Sequence, residues 1–479
     1  VGSWKMVKMM VTKGVSISAL LYFGVVTSSI ASSGLHSPVL QSESVVLTPD
    51  DKQRRSLSGN KARKTYSYLD YDAMVETMKD LNRKFPHLIE LESAQQKYGL
   101  PSPGSCGKRS CEVWLLRVTH EPSLSSEDPT VDIPAKKLDR RPEVFFSGAL
   151  HGDERVGPTT TVEAARLLAT IADCVENDIQ RGQNAIADGT LCRGILTEED
   201  EAMLVAGIET PNPGAPRESF GATELAVRRR RLLWVHRLVR TRSVYVMPAA
   251  NALGYYQNRR QEGSVDPNRD FPFVQAKNRC MQSVAARALN EVFREHMFQM
   301  AITFHGGMQA IAYEWGSPIH PKAGHQDTSP DDASQRQVSK SLSAFGGGGA
   351  YSRNREYPYH PMNTLVYPVN GGMEDWAYAA SWETTEQNKA GAPHTVPNCV
   401  VDARSNPPSS SSSTKNQNHG SYPSERMEYT PSMLRVFNLL VETSDIKAPP
   451  ASTLGGPRGL FLPRAPDAKG NGHVSRNLR

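Results

Sequence analysis

The sequence predicts an α/β fold, with a twisted, mixed central β-sheet and helices on both faces. Three observations point there. Val144–Leu150 is a continuous apolar run, the pattern of a strand buried on both faces. It breaks at His151-Gly152-Asp153-Glu154, and a helical pattern follows through Pro158, Val162, Ala165, Leu168 and Ile171. Two more apolar stretches, Ser243–Pro248 and Met300–Phe304, repeat the strand signal, with a helix read over Met281–Phe298 between them. In strand–loop–helix units, chemistry collects at the carboxyl ends of the strands.

Lys5, Lys8 and Lys13 precede an apolar stretch from Val15 to Ile30, which runs into small residues at Ala31-Ser32-Ser33-Gly34. Basic, apolar, then small is the order of a signal peptide, read here over residues 1–33. The apolar stretch is short for a spanning helix, which needs about 20 residues. A secreted protein, or one in the lumen of the secretory pathway, is expected, with no stable membrane association beyond an uncleaved signal. Residues 34–65 read as a disordered N-terminal tail. A catalytic domain is expected over 66–450.

Along that domain, Leu69, Met74, Met78 and Leu81 recur at helical spacing between Tyr68 and Phe85, and Pro86 ends the helix. Leu88–Leu91 and Val113–Val118 read as strands. From Asp173 to Arg242 the chain is polar and punctuated by Gly and Pro, which marks an insertion near 173–242, helical over Glu224–Val239. Pro321–Tyr351 reads as a loop. A second insertion near 383–432 holds the serine run Ser409–Ser413, whose composition cannot build a core. Val436–Glu442 is the last buried strand, and 451–479 reads as a disordered tail.

The net charge is +5 over 479 residues. The densest basic run, Arg228–Arg231, has no nucleic-acid-binding motif beside it and reads as the solvated face of an inserted helix, so no nucleic-acid partner is expected. None of the six cysteines forms a C-x-x-C pair, which argues against a zinc ribbon. An even number fits disulfides in an oxidising compartment. Cys106 with Cys111, flanking a short turn, and Cys174 with Cys192 are two pairs the sequence offers, but six cysteines allow fifteen connectivities and the sequence does not choose among them.

His151 and Glu154 form an H-x-x-E turn at a strand end. A catalytic zinc takes three protein ligands and keeps one position open. His305, delivered by Met300–Phe304, is the candidate third ligand. The pattern differs from H-E-x-x-H, in which both histidines ride one helix. On its own, H-x-x-E is a common coincidence.

Five islands in one order make it specific: S-G-A-L-H-G-D-E, N-R-R-Q, V-D-P-N-R-D-F-P, F-H-G-G, and Y-P-V-N-G-G-M-E-D-W-A-Y with V-E-T-S-D-I-K-A-P-P after it. From Tyr68 to Pro450 the chain resembles the zinc metallocarboxypeptidases of funnelin type, relatives of carboxypeptidases A and B, and its zinc loop is closest to the regulatory branch. The resemblance implies a single catalytic domain, one Zn2+ ion held by His151, Glu154 and His305, and Glu442 as general base. It implies that Asn268, Arg269 and Tyr367 grip the substrate's terminal carboxylate, since a guanidinium binds a carboxylate through two parallel hydrogen bonds. An arginine shortly before Asn268 would stabilise the oxyanion. Arg259 and Arg260 both fit that spacing, and Arg259 is favoured. Glu374, seven positions after Tyr367, would lie at the floor of the terminal side-chain pocket and select Lys or Arg.

The expected partners are peptide or protein C-termini, and the expected state is a monomer. Two other readings remain open: a related zinc amidohydrolase acting on acylated amino acids, and an inactive zinc-binding protein of the same fold.

Overall fold

The apolar runs of the sequence become the central strands of one eight-stranded sheet. This computed structural model describes residues 65–120, 141–180, 192, 229, 231–275, 279–320, 328–346, 357–382, 385–387, 393–395, 422–423, 426–427, 436–456 and 472–478. All of them belong to one unit, Arg63–Arg479. The signal-peptide reading, nearly all of the N-terminal tail and the serine run lie outside the described residues.

In chain order, α1 (Tyr71–Lys84) leads to β1 (Ile89–Ser93). The Asp70 carboxylate caps α1 by accepting from Ala73 N at 2.8 Å. A small hairpin, β2 (Ser105–Cys106) and β3 (Arg109–Ser110), is closed by the Cys106–Cys111 disulfide. Then come β4 (Trp114–Val118), β5 (Glu143–Gly148), the long α2 (Val156–Gln180) and β6 (Ser243–Met247). Short α3 (Ala252–Gln257) and α4 (Val284–Glu295) precede β7 (Phe298–His305) and β8 (Met308–Tyr313). After α5 (Asp332–Gly346), β9 (Tyr359–Pro361) and α6 (Met373–Ala379), a two-stranded hairpin of β10 (Thr385–Gln387) and β11 (Pro393–Thr395) leads on to β12 (Phe437–Ser444) and α7 (His473–Leu478).

The sheet order is β1-β4-β6-β5-β7-β12-β8-β9. The four central strands, β6, β5, β7 and β12, run parallel, while β4 and β8 flank them antiparallel, so the sheet is mixed as predicted. Every residue of β6 is buried, which is why that strand reads as unbroken apolar sequence. Alternate side chains of β7 serve opposite faces. Ile302 and Phe304 join Leu439, Val441 and the flanking Val338 and Leu342 of α5. Thr303, on the other face, donates to Glu374 of α6 at 3.1 Å. Helices therefore cover both faces. Beneath α4, Phe145 meets Phe293 edge-on at 5.3 Å and Phe298 at 5.1 Å.

Several expectations change at element boundaries. The helix after the H-x-x-E turn begins at Val156 and continues to Gln180, so the first part of the expected insertion is its last two turns. His236 and Arg240, on the helix spanning 231–241, tie that insertion back to α2 through Glu176, at 2.8 and 3.2 Å. The Cys174–Cys192 disulfide is present, and Cys280 is also disulfide-bonded. The helix read over Met281–Phe298 is shorter: Ser283 caps it, and Phe298 already belongs to β7. Pro321–Tyr351 is not all loop, since α5 occupies Asp332–Gly346. Its apolar stripe is thin enough to be hidden by Ser and Gln.

Residues His473–Leu478, expected in a disordered tail, form α7 instead. Val474 packs with Tyr66, Val156 and Leu454, and the buried Arg476 donates to Gly346 O at 2.8 Å while its guanidinium lies over the Tyr357 ring. Among the described residues, no helix is long and apolar enough to cross a membrane.

Phe145 is fully buried between α4 and the sheet. Replacing it with Ala should lower unfolding stability by about 3–5 kcal/mol, read from the urea midpoint of unfolding.

Candidate metal centre and active-site cleft

Strand β5 ends where the backbone turns sharply. Ala149 sits at φ 45°, a left-handed conformation that a non-glycine residue rarely adopts and that clusters at functional sites. The turn is pinned by Ala250 N donating to Gly148 O at 3.1 Å and Asn251 N donating to Ala149 O at 3.0 Å. Gly152 packs directly against α3: a Cβ there would lie 2.0 Å from the carbonyl carbon of Gly254 and 2.3 Å from Tyr255 N. That contact leaves room for nothing larger than glycine. On the far side, Arg155 N donates to Lys447 O at 2.8 Å, and the Lys447 ammonium pairs with Asp153 at 2.7 Å. The loop between strand and helix is thus held on three sides.

This loop brings His151 and Glu154 to His305, at the end of β7. All three are buried, and their ligand atoms lie within 4.8 Å of one another. His305 Nδ1 is 3.2 Å from His151 Nδ1 and 2.9 Å from Glu154 Oε2, while Glu154 Oε1 is 2.8 Å from His151 Nδ1. Two imidazole nitrogens and a carboxylate aimed at one point form a zinc donor set, and this geometry fits the ion. His151 Nε2, facing away from that point, meets Asp266 Oδ1 at 3.1 Å. Carboxylate support of this kind fixes the tautomer and orientation of a ligating histidine.

Charge follows the same geometry. Burial would raise the Glu154 carboxyl, but His151 and His305 hold it well below the usual range. Burial also pulls His305 down, yet Glu154, Glu374 and Glu442 outweigh it and push it up to about 9. Asp266 is held low by His151 and Arg260 against its own burial.

Glu442 lies opposite His305 in the parallel β12–β7 register, and Thr443 donates its hydroxyl to His305 O at 2.7 Å. The strand continues to Ser444, so Glu442 stands near its end rather than at it. Burial, with Glu154 adding, pushes Glu442 up to about 7 against the pull of His305 and His151.

Of the two neighbouring arginines, Arg260 lies beside the candidate metal group, while Arg259, the one favoured from the sequence, is exposed. Arg260 Nη1 lies 3.1 Å from His151 Nδ1 and 3.6 Å from Glu154 Oε1, and its Nη2 pairs with Asp266 at 2.9 Å. Arg259 is exposed, and its backbone N–H donates to Gly254 O at 2.8 Å at the end of α3. This backbone contact sets the phase of the next residue, which sequence spacing could not resolve.

Arg269 and Tyr367 stand together at the surface of the cleft. Arg269 Nη2 donates to the Tyr367 hydroxyl at 3.3 Å, and Tyr367 is half exposed. Asn268 is buried beside them, its Oδ1 accepting from Met373 N at 2.8 Å. Glu374 is buried deeper, with Oε1 accepting from Thr303 and lying 3.7 Å from His305 Nε2. Sequence reasoning gave no role to Asp266, Thr303 or Lys447. Asp266 and Lys447 were in view inside the V-D-P-N-R and V-E-T-S-D-I-K islands, but only the fold shows what they touch.

Comparison with known proteins bears on the same residues. The model of the zinc carboxypeptidase family matches residues 223–390, a stretch that holds Arg260, Asn268, Arg269, His305, Tyr367 and Glu374. No curated protein sequence matches the chain. Among solved structures, it is similar to thrombin activatable fibrinolysis inhibitor, at 13% identity and a TM-score of 0.40, over 64% of this chain and 62% of that one. The bovine protein of that name, in complex with tick carboxypeptidase inhibitor, aligns at 13% identity and a TM-score of 0.37, over 64% and 81%. Carboxypeptidase A from Helicoverpa armigera aligns at 13% identity and a TM-score of 0.39, over 66% and 64%. The alignment thus spans less than two thirds of the first and third of these chains.

The purified protein should hold one zinc per chain by metal analysis, and His305→Ala should lose it. Gly152→Ala should push the zinc loop off α3 and lower both thermal stability and zinc content. A Gly152→Ala protein with unchanged melting temperature would contradict the close packing described.

Proposed function

We propose that this chain, whose residues 223–390 match the model of the zinc carboxypeptidase family, hydrolyses the C-terminal peptide bond of peptides and proteins and prefers Lys or Arg at the terminus. The observation that carries the reading is the buried His151–Glu154–His305 group, with Glu442 beside it in register on the adjoining parallel strand. Zinc, when bound, supplies Lewis acidity towards a carbonyl oxygen and a water molecule.

The roles of the protein's own groups follow from their positions. Glu442 takes the proton of the attacking water and hands it to the leaving amine. Arg260, with its guanidinium turned to the metal group, donates to the oxygen on which negative charge develops. Arg269 binds the substrate's terminal carboxylate, and Tyr367, already beside it, closes over the same group. Asn268 adds its amide N–H, because its Oδ1 is engaged by Met373 N. An enzyme that grips a free carboxylate removes one residue at a time. Glu374 presents a buried oxygen, Oε2, that has no hydrogen-bond partner among the described residues. A substrate ammonium or guanidinium would satisfy it, and an aromatic side chain would leave it desolvated and unpaired, so binding discriminates between the two. The disulfides support an oxidising compartment, in keeping with a secreted enzyme.

The test is release of single residues from matched peptides ending in Arg, Lys, Phe, Leu or Glu, with and without a zinc chelator. Chelator-sensitive release of Arg and Lys is expected. Release of Phe or Leu instead would remove the specificity assignment, and no release by folded, zinc-loaded protein would remove the activity. Glu442→Gln should keep its zinc and lower kcat by about 10²–10⁴-fold. Retained turnover in that variant would rule Glu442 out as the base.

A further inference from the structure

We infer that Glu374 is a positioning residue for the metal centre: its Oε1 orients His305 through Nε2, while its Oε2 faces the substrate pocket. The inference rests on the zinc site proposed above and goes beyond the pocket role given there to Glu374.

A ligating imidazole uses one nitrogen for the metal, and its other N–H needs an acceptor that fixes the ring. His151 has one in Asp266, at 3.1 Å. His305 is fully enclosed by protein, and its Nε2 has no hydrogen-bond partner among the described residues. Leaving a buried donor unpaired costs about 1–3 kcal/mol. The ion-pair contact within reach of that nitrogen is Glu374 Oε1, at 3.7 Å. This is longer than a hydrogen bond, but a carboxylate movement of less than about 1 Å brings it into range.

Glu374 is also anchored to the strand that carries the ligand. Its Oε1 accepts from the Thr303 hydroxyl at 3.1 Å, and Thr303 lies two positions before His305, on the same face of β7. The carboxylate therefore sits under His305 independently of any substrate. Its second oxygen lies on the side of Gly372 and Asn268: a Cβ on Gly372 would be 3.4 Å from Oε2 and 3.9 Å from Asn268 Oδ1. One carboxylate thus reaches from the metal ligand toward Gly372 and Asn268, where the proposed specificity pocket would lie, and the charge that would select a basic terminus would also set the ring that holds the ion.

Three full-length proteins separate the two roles: wild type, Glu374→Gln and Glu374→Ala. Zinc affinity is measured by competition with a chromogenic chelator, the cobalt-loaded proteins are compared by visible absorption, and apo-protein melting temperatures report folding. Glu374→Ala should bind zinc about 10–100-fold more weakly and shift the cobalt bands. Glu374→Gln keeps an acceptor oxygen for the His305 N–H, so it should recover most of the affinity and the wild-type cobalt spectrum, while the preference for Arg and Lys over Leu disappears. Wild-type zinc affinity in Glu374→Ala would overturn the inference. So would equal weakening in both variants with a matching fall in apo stability, which marks a merely structural group. Failure of the wild type to cleave peptides would bear on the proposed activity alone, because none of the metal readouts depends on turnover.

Discussion

The parallel register of β5, β7 and β12 is the constraint on which the site depends. Pairing of Gly148 with Phe304 and of His305 with Glu442 sets the strand ends side by side, so the zinc-loop groups, His305 and Glu442, from distant parts of the chain, meet without a long loop having to find them. A slip of one residue in either pairing would send His305 or Glu442 to the opposite face, into the apolar layer formed by Ile302, Phe304 and Val441. The hydrophobic alternation of β7 therefore protects the metal group as well as the core.

Buried ionisable groups are stable only when they are paired. Here the pairing is layered. His151 and His305 hold Glu154 ionised, Asp266 answers His151, and Arg260 answers Asp266 and Glu154 together. Lys447, from the segment after β12, reaches across to Asp153 in the zinc loop. The charged network thus ties β5, β7 and the end of β12 to one another above the sheet, where the apolar core no longer reaches. The close packing of Gly152 on α3 serves the same end, since a loop that cannot shift keeps two of the three candidate ligands in place.

The fold was legible where sequence and burial agree. β5, β6, β7 and β12 read as largely apolar runs because both of their faces are covered, and α1 announces itself through Met74, Met78 and Leu81. The metal group was legible because its residues fall at strand ends inside recognisable islands. What escaped notice has physical causes. α5 is held by few apolar contacts, so its polar sequence resembles a loop. α7 is short, and its burial comes from a partner far away in sequence, the cluster around Tyr66 and Leu454. The choice between Arg259 and Arg260 depends on where α3 ends: Asn258 in a left-handed conformation and the Arg259 N–H bond to Gly254 O turn the first arginine outward and the second inward. Spacing alone carries no such information. The contact between Glu374 and His305 likewise appears only once α6 is laid against the sheet.

The most direct measurement is anomalous diffraction at the zinc edge from crystals of the full chain. A single zinc peak is expected, about 2.0–2.2 Å from His151 Nδ1, His305 Nδ1 and a Glu154 carboxylate oxygen. A peak at other residues, or none in zinc-soaked crystals, would contradict the account at its centre.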